Sequence, residues 1–217
     1  MLSNKKNQSK INILLIYKLS IYVVVMRLIQ NKNYNRKPPE EINFDGFIFK
    51  DIFLQFCEIK NRSFINCSFV NVDFGETDII NCNFENSNFS NCILKHTNFK
   101  NCLLKDIKGS DFDLRSGSLV ENNFQNCNFF NSCFRGSHFF KNNIENFEAI
   151  NCDMKNIIFE KNNYNEILLK YSNLFKSSFI EENLEKFNIK DCNTFLCSAE
   201  NSNGYENLEL DEYFLID

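Results

Sequence analysis

Apolar side chains recur at every fifth residue along most of the chain. From Phe44 the step of five reads Phe44, Phe49, Leu54, Ile59, Phe64, Phe69 and Phe74, and the same register still holds at Phe179, Leu184 and Ile189. Between residues 44 and 199 there are thirty-two such centres. Twenty-eight are Phe, Leu, Ile, Met or Tyr, and the others are Gly109, Ala149, Thr194 and Ala199. No insertion breaks the count. A period of five matches neither a helix, at about 3.6, nor a strand, at about 2. It fits a chain that turns a corner every five residues.

The positions around each centre are patterned as well. Two residues before it stands Cys, Ser, Thr, Val or Gly in eighteen of thirty-two pentads, and one residue before it Asn, Asp or Ser in twenty-one. Cys82-Asn83-Phe84, Ser87-Asn88-Phe89, Thr97-Asn98-Phe99 and Cys127-Asn128-Phe129 carry the pattern in full. With these residues the chain resembles the pentapeptide-repeat family over about 158 residues. The resemblance implies an all-β fold, a right-handed quadrilateral parallel β-helix. In such a solenoid the centre and the small residue point inward and the other three point outward. Thirty-two pentads make eight coils, a rod of about 35–40 Å at the inter-strand spacing. The expected layout is a basic, partly hydrophobic N-terminal segment and linker at 1–41, the β-helix at 42–200, and a short acidic C-terminal cap at 201–217.

The core is expected to hold Phe64, Phe84, Phe89, Phe99, Phe124, Phe129 and Phe139. Gly109 and Ala149 are the emptiest centres, and Ile107 and Phe147 fill their small positions, as close packing asks. Asn122, Asn142 and Asn162 occupy the small position of one side in three successive coils, with Arg62 and Glu182 further along. Buried amides must be hydrogen-bonded, so these residues are expected to form an internal ladder. Asn or Asp fills the second place after the centre in seventeen pentads; it suits corners because it tolerates left-handed backbone and bonds its own turn. The third side lacks this Asn series and is expected to turn differently. Nine of the ten cysteines sit in the small inward position, where a thiol serves as a small hydrophobe. Cys133 lies one residue later. Cys82 and Cys102 fall one coil apart, within reach of a disulfide.

Composition narrows the chemistry. The net charge of −4 argues against a basic nucleic-acid binder, so no direct nucleic-acid contact is expected. Two histidines, no C-x-x-C pair and no phosphate-binding loop leave no catalytic, cofactor or metal constellation. A filled β-helix also offers no cleft, and the expectation is a non-enzyme without cofactors. The cysteine usage favours a reducing compartment, hence the cytoplasm of a bacterial cell. Residues 11–30 are mostly apolar, and Lys18 and Arg27 are their only charged residues. Three readings stand for them: a membrane anchor or uncleaved signal, a segment packed over the first coil, or upstream sequence before a start at Met26. Residues 200–217 carry six acids and no base, and Leu208, Leu210 and Tyr213–Ile216 suit a cap or a homodimer contact at the C-terminal end.

The outside is left for function. Lys95, Arg115, Arg135 and Lys155 follow one another down the third side, with Asp113 and Asp153 nearby, and make a candidate docking strip. Ile80, Val120, Phe140 and Ile180 make a candidate apolar face on the fourth side, and Val70, Phe130 and Ile150 a smaller one on the second. The expected function is a protein-interaction scaffold whose partner is another protein. The resemblance implies one alternative, because some members of the family protect DNA gyrase from quinolones by imitating duplex DNA. A membrane-tethered or exported protein is the other, resting on residues 11–30.

Overall fold

Each pentad turns its corner through a left-handed residue. The second residue after the centre holds φ between 49° and 65° at nearly every such position from Asn31 to Asn201. Asn and Asp tolerate this region best among residues with a side chain, which explains their abundance there. Four such corners close one coil, and in the computed structural model about nine coils stack into a parallel β-solenoid with almost no helix. The structure describes residues 12–15, 25–41, 43–208, 210 and 215–216.

The four faces differ in how they hydrogen-bond. The second face, centred on Phe49, Phe69 and Phe89, lies in an eleven-stranded sheet, and the fourth, centred on Ile59, Ile79 and Phe99, in a nine-stranded one. The third face is a column of single bridges, Asp73 to Ile93 to Asp113 to Cys133 to Asp153. Its corners share the left-handed φ of the others but are closed as four-residue turns. Thr97 N–H donates to Leu94 C=O at 3.1 Å, and Ser137 N–H to Phe134 C=O at 3.0 Å. Positive φ at the third residue of a closed turn is the type II arrangement.

The own-turn bond expected of the corner Asx residues is made by a different set of Asx residues. Corner asparagines bond the neighbouring coil rather than their own turn: Asn91 Nδ2 donates to Asn71 Oδ1 at 2.8 Å, and Asn146 Nδ2 to Asn126 Oδ1 at 2.9 Å. The turn is bonded by the Asx before the centre. Asn83 Oδ1 accepts from Glu85 N–H at 2.9 Å and Asp73 Oδ1 from Gly75 N–H at 2.9 Å.

Inside, the centres stack along the rod. Phe44, Phe64 and Phe84 lie nearly parallel at 5.3 and 4.8 Å, and Phe49, Phe69 and Phe89 at 4.9 and 4.7 Å. Neighbouring columns meet edge to face, as Phe64 and Phe69 do at 5.7 Å. Each aromatic pair adds about 0.5–1.5 kcal/mol beyond its burial. Gly109 interrupts the second stack. A methyl there would lie 2.5 Å from Phe129 Cδ1, so the ring of the next coil uses the missing volume. Phe112 bridges the gap, 5.8 Å from Phe89 and 5.5 Å from Phe129. Phe147 leans over Ala149 and packs on Phe129 at 5.4 Å.

The small inward residue does more than save space. Its side chain donates to the centre carbonyl twenty-three residues earlier: Thr77 to Leu54 and Ser87 to Phe64 at 2.6 Å, Cys67 to Phe44 and Cys127 to Leu104 at 3.0 Å. A buried carbonyl needs such a donor, and Cys, Ser, Thr and Asn all supply one. The internal ladder follows the same rule. Asn122, Asn142 and Asn162 donate to Phe99, Leu119 and Phe139 C=O at 3.0, 2.9 and 2.9 Å. Each also accepts from the coil before, as Asn142 Oδ1 does from Asn122 N–H at 2.9 Å and Asn122 Nδ2 at 3.1 Å. The ladder ends on Glu182, whose Oε1 accepts from Asn162 N–H and Nδ2 at 3.1 and 2.9 Å.

At the N-terminal end the paired backbone starts earlier than Phe44. Strand β1 (Asn12–Leu15) pairs antiparallel with β2 (Val25–Asn33), and β2 pairs parallel with β3 (Phe47–Phe53). Ile29 sits opposite Phe49 and is 8% exposed. Residues 31–41, expected as linker, belong to this opening coil: Tyr34 N–H donates to Phe53 C=O at 2.7 Å and Arg36 N–H to Gln55 C=O at 2.9 Å. Residues 1–11 and 16–24 lie outside the described residues, and with them half of the apolar run expected as an anchor. Among the described residues no helix is long and apolar enough to cross a membrane. At the other end Leu208 and Leu210 pack on the core, and Leu215–Ile216 pair with Ser198 and Ala199 at the sheet's last edge.

Candidate protein-interaction surface

The third face is shaped by its tight turns. The residue after each centre stands at the tip of a turn, so one such residue per coil makes a straight column. Lys95, Arg115, Arg135 and Lys155 occupy that column on four consecutive coils. At about 4.8 Å per coil it spans roughly 15 Å.

Two carboxylates organise these cations. Asp113 accepts from Arg115 Nε at 2.9 Å and Nη2 at 2.7 Å, and Lys95 Nζ lies 3.6 Å away. Arg135 is paired with Asp153, and Lys155 N–H reaches the same carboxylate at 3.3 Å. Burial alone would raise the Asp113 carboxyl, but the hydrogen bonds and charge of Arg115 outweigh it and hold the group below its ordinary value. Four cations against two anions leave the strip with +2. Its arginines are held by partners fixed on the turns rather than free in solvent.

The column changes character beyond Lys155. Phe175 and Phe195 stack at 6.0 Å and 6° between planes, with Lys176 Nζ 5.2 Å from the Phe175 centroid. Phe195 is 39% exposed. The twenty-residue step contained this pair, since Phe175 and Phe195 continue the cationic column; the stacking is what the structure adds.

The other candidates are less continuous. On the fourth face Ile80, Val120, Phe140 and Ile180 are each half-buried. They alternate with Lys100 and Glu160, and Glu160 is held by His138 Nε2 at 3.0 Å and Lys161 at 3.7 Å. On the second face Phe130 is 51% exposed beside Ile150, at a depression of about 370 Å³ over Gly109. Of the proposed core residues, Phe84, Phe124 and Phe139 are at most 1% exposed, Phe99 2%, Phe89 3%, Phe129 4% and Phe64 5%. Asn122 and Asn142 are 1% exposed, and Asn162 is half-buried. Among the described residues no three His, Cys, Asp or Glu side chains are grouped to hold a metal ion.

One buried acid stands apart. Glu182 is 3% exposed, and its Oε2 has no hydrogen-bond partner. Burial is the main cause that raises its carboxyl to about 7, against the bonds from Asn162.

A sequence model described as pentapeptide repeats matches residues 67–106 in eight copies. A comparison with curated proteins finds no match. Among solved structures, the chain is similar to a trypsin-treated form of QnrB1, described as a plasmid-mediated fluoroquinolone resistance protein. That match has 18% identity, 88% of this chain and 91% of that one covered, and a TM-score of 0.40. It is also similar to HetL, a pentapeptide repeat protein involved in heterocyst differentiation regulation from the cyanobacterium Nostoc, at 9% identity, 86% and 88% coverage and a TM-score of 0.38. The eight matched copies lie inside a register that runs unbroken on both sides of them, so residues 67–106 match pentapeptide repeats and the flanking coils keep the same spacing.

Proposed function

We propose that the rod is a non-enzymatic scaffold that docks an acidic surface of another protein along its third face. The observation that carries this is the column from Lys95 to Lys155. Three of the four cations, Lys95, Arg115 and Arg135, share two carboxylates, and Lys155 adds its charge beside them, so the strip keeps a net positive charge in a fixed geometry. A flat row of pre-positioned guanidinium groups suits carboxylates, which Arg binds through two parallel hydrogen bonds. The Phe175–Phe195 stack at its end offers an aromatic anchor of the kind enriched in interface centres. The test is a triple reversal, Lys95→Glu, Arg115→Glu and Arg135→Glu. Wild type should be retained on immobilised poly-glutamate at low salt and released as salt rises; the variant should pass through. Equal retention of both would remove the strip from the proposal.

A second reading draws on the first face, opposite the strip. There Asp45, Glu85, Asp106, Glu145, Glu166 and Glu185 stand against Lys105 and Lys186, a net of −4. This is the side on which a duplex mimic acting on DNA gyrase would be sought. Duplex DNA carries a charge about every 1.7 Å, or roughly twenty over a rod of this length. The face falls short by about fivefold, so the scaffold reading stands first. A gyrase supercoiling assay with a quinolone separates them, because only the mimic would relieve inhibition.

A further inference from the structure

Cys82 and Cys102 are the only two of the ten cysteines that stand twenty residues apart. They occupy one inward column on neighbouring coils, just before the asparagine ladder; Cys102 N–H donates to Asn122 Oδ1 at 2.9 Å. Leu103 N–H donates to Cys82 C=O at 3.0 Å, and Asn83 bridges Leu103 in parallel, so the two backbones are locked one rung apart. A rung of about 4.8 Å lies within the Cα separation of about 4.4–6.8 Å that a disulfide spans. Each thiol also lies near the carbonyl twenty-three residues back, Cys82 Sγ at 3.6 Å from Ile59 O and Cys102 Sγ at 3.4 Å from Ile79 O, as Cys92 does at 3.5 Å and Cys152 at 3.7 Å.

Two features set Cys82 apart from Cys102, although the two are buried alike, at 2% and 3% exposed. Cys82 lines an open surface depression of about 580 Å³ together with Arg62, Ser63, Asn81 and Asn101. Arg62 precedes Cys82 in the same inward column. The contact with Cys102 is the main cause that lowers the Cys82 thiol, and Arg62 adds to it, whereas Cys102 is raised by that contact and by burial. Cys82 is the one of the two that lines the depression, which makes it the attacking cysteine and Cys102 the resolving one.

We propose that Cys82 and Cys102 are an oxidative modification site, at which a peroxide closes a reversible disulfide that staples two neighbouring coils. The Cys82 thiolate attacks one oxygen of hydrogen peroxide and the O–O bond breaks. The expelled hydroxide takes a proton to leave as water, and Cys82 becomes a sulfenic acid. The sulfur of Cys102 then attacks the Cys82 sulfur, its proton goes to the departing hydroxyl, and a second water leaves. Two thiols are oxidised by two electrons and one peroxide is reduced to two waters. A dithiol reductant reverses the step by exchange.

The experiment treats the reduced full-length chain with hydrogen peroxide, alkylates the remaining thiols, and maps the digest by tandem mass spectrometry. Trypsin cleavage after Lys95 and Lys100 places the two cysteines on separate peptides. The expected product has lost two hydrogens, carries a Cys82–Cys102 linked peptide, and returns to the starting mass with dithiothreitol. Cys133→Ser, which removes the one cysteine at an outward position, should behave the same. Cys102→Ser should leave a Cys82 sulfenic acid that dimedone traps. Oxidised wild type should melt at a higher temperature than reduced wild type. The proposal is overturned if peroxide oxidises Cys133 while Cys82 and Cys102 remain fully alkylated, or if the linked peptides join other cysteines.

Discussion

Glu182→Gln tests the inner column directly. The asparagines and the serine of that column reach the carbonyl twenty-three places back, as Asn162 does to Phe139 at 2.9 Å and Ser202 to Phe179 at 3.0 Å. Glu182 is buried with Oε2 unpartnered, and its carboxyl is raised from 4.5 to about 7. The folded protein therefore binds this proton more tightly than the unfolded chain does. Its contribution to stability is complete below pH 4.5 and is lost as pH rises through about 7. A displacement of about 2.5 units at about 1.36 kcal/mol each amounts to roughly 3 kcal/mol. Glutamine keeps the acceptor for Asn162, carries no charge, and supplies an N–H toward Phe159. Urea unfolding followed by circular dichroism at pH 4.5 and 8.5 measures the difference. The two proteins should be close at the lower pH, and the variant should be more stable by about 2–3 kcal/mol at the higher one. A variant that is equally or less stable at pH 8.5 would refute the argument, since groups common to both proteins cancel.

Gly109→Ala should destabilise by about 1–3 kcal/mol, because the new methyl meets Phe129 Cδ1 at 2.5 Å; adding Phe129→Leu should recover part of that loss in the same urea assay. Asn142→Leu removes a donor to Leu119 C=O and an acceptor for two N–H groups of Asn122. With a cost of about 1–3 kcal/mol per buried group left unpaired, the unfolding midpoint should fall by the equivalent of about 3 kcal/mol or more. Arg115→Glu with Arg135→Glu should change stability by less than about 1 kcal/mol, since both pairs are partly exposed. The same double variant should lose retention on poly-glutamate, which separates loss of binding from loss of fold. In the supercoiling assay the wild-type rod should leave quinolone inhibition unrelieved.

The coil register was readable because the spacing never slips. The inner ladder was readable for the same reason, since Asn122, Asn142 and Asn162 stand at the step that stacks them. Two things were hidden by residue type. Ile29 and Tyr34 hold the fivefold register, but they sit beside an apolar run and Pro38-Pro39, which read as anchor and linker. The thiols read as small hydrophobes, and only the stacked coils reveal the carbonyls they answer. On the third face the cations and Asp113 and Asp153 were visible as one side. Which acid holds which base depends on the turns: Asp113 takes Arg115 from its own coil and Lys95 from the coil before.

The unbroken spacing has a consequence for how such a rod can change. Inserting twenty residues lengthens it by one coil and keeps every column straight. Inserting five also keeps every centre in the core and every small residue at its carbonyl. Yet everything after the insertion rotates by a quarter turn about the axis. Placed between Arg115 and Arg135, such an insertion would split the cationic column across two faces and break the asparagine ladder or the Gly109–Phe129 fit as well. The pentad register survives multiples of five, whereas a binding strip, the asparagine ladder and the Gly109–Phe129 fit survive only multiples of twenty. Gaps of five, ten or fifteen among relatives of this chain would therefore mark where a surface has been abandoned or moved to another side.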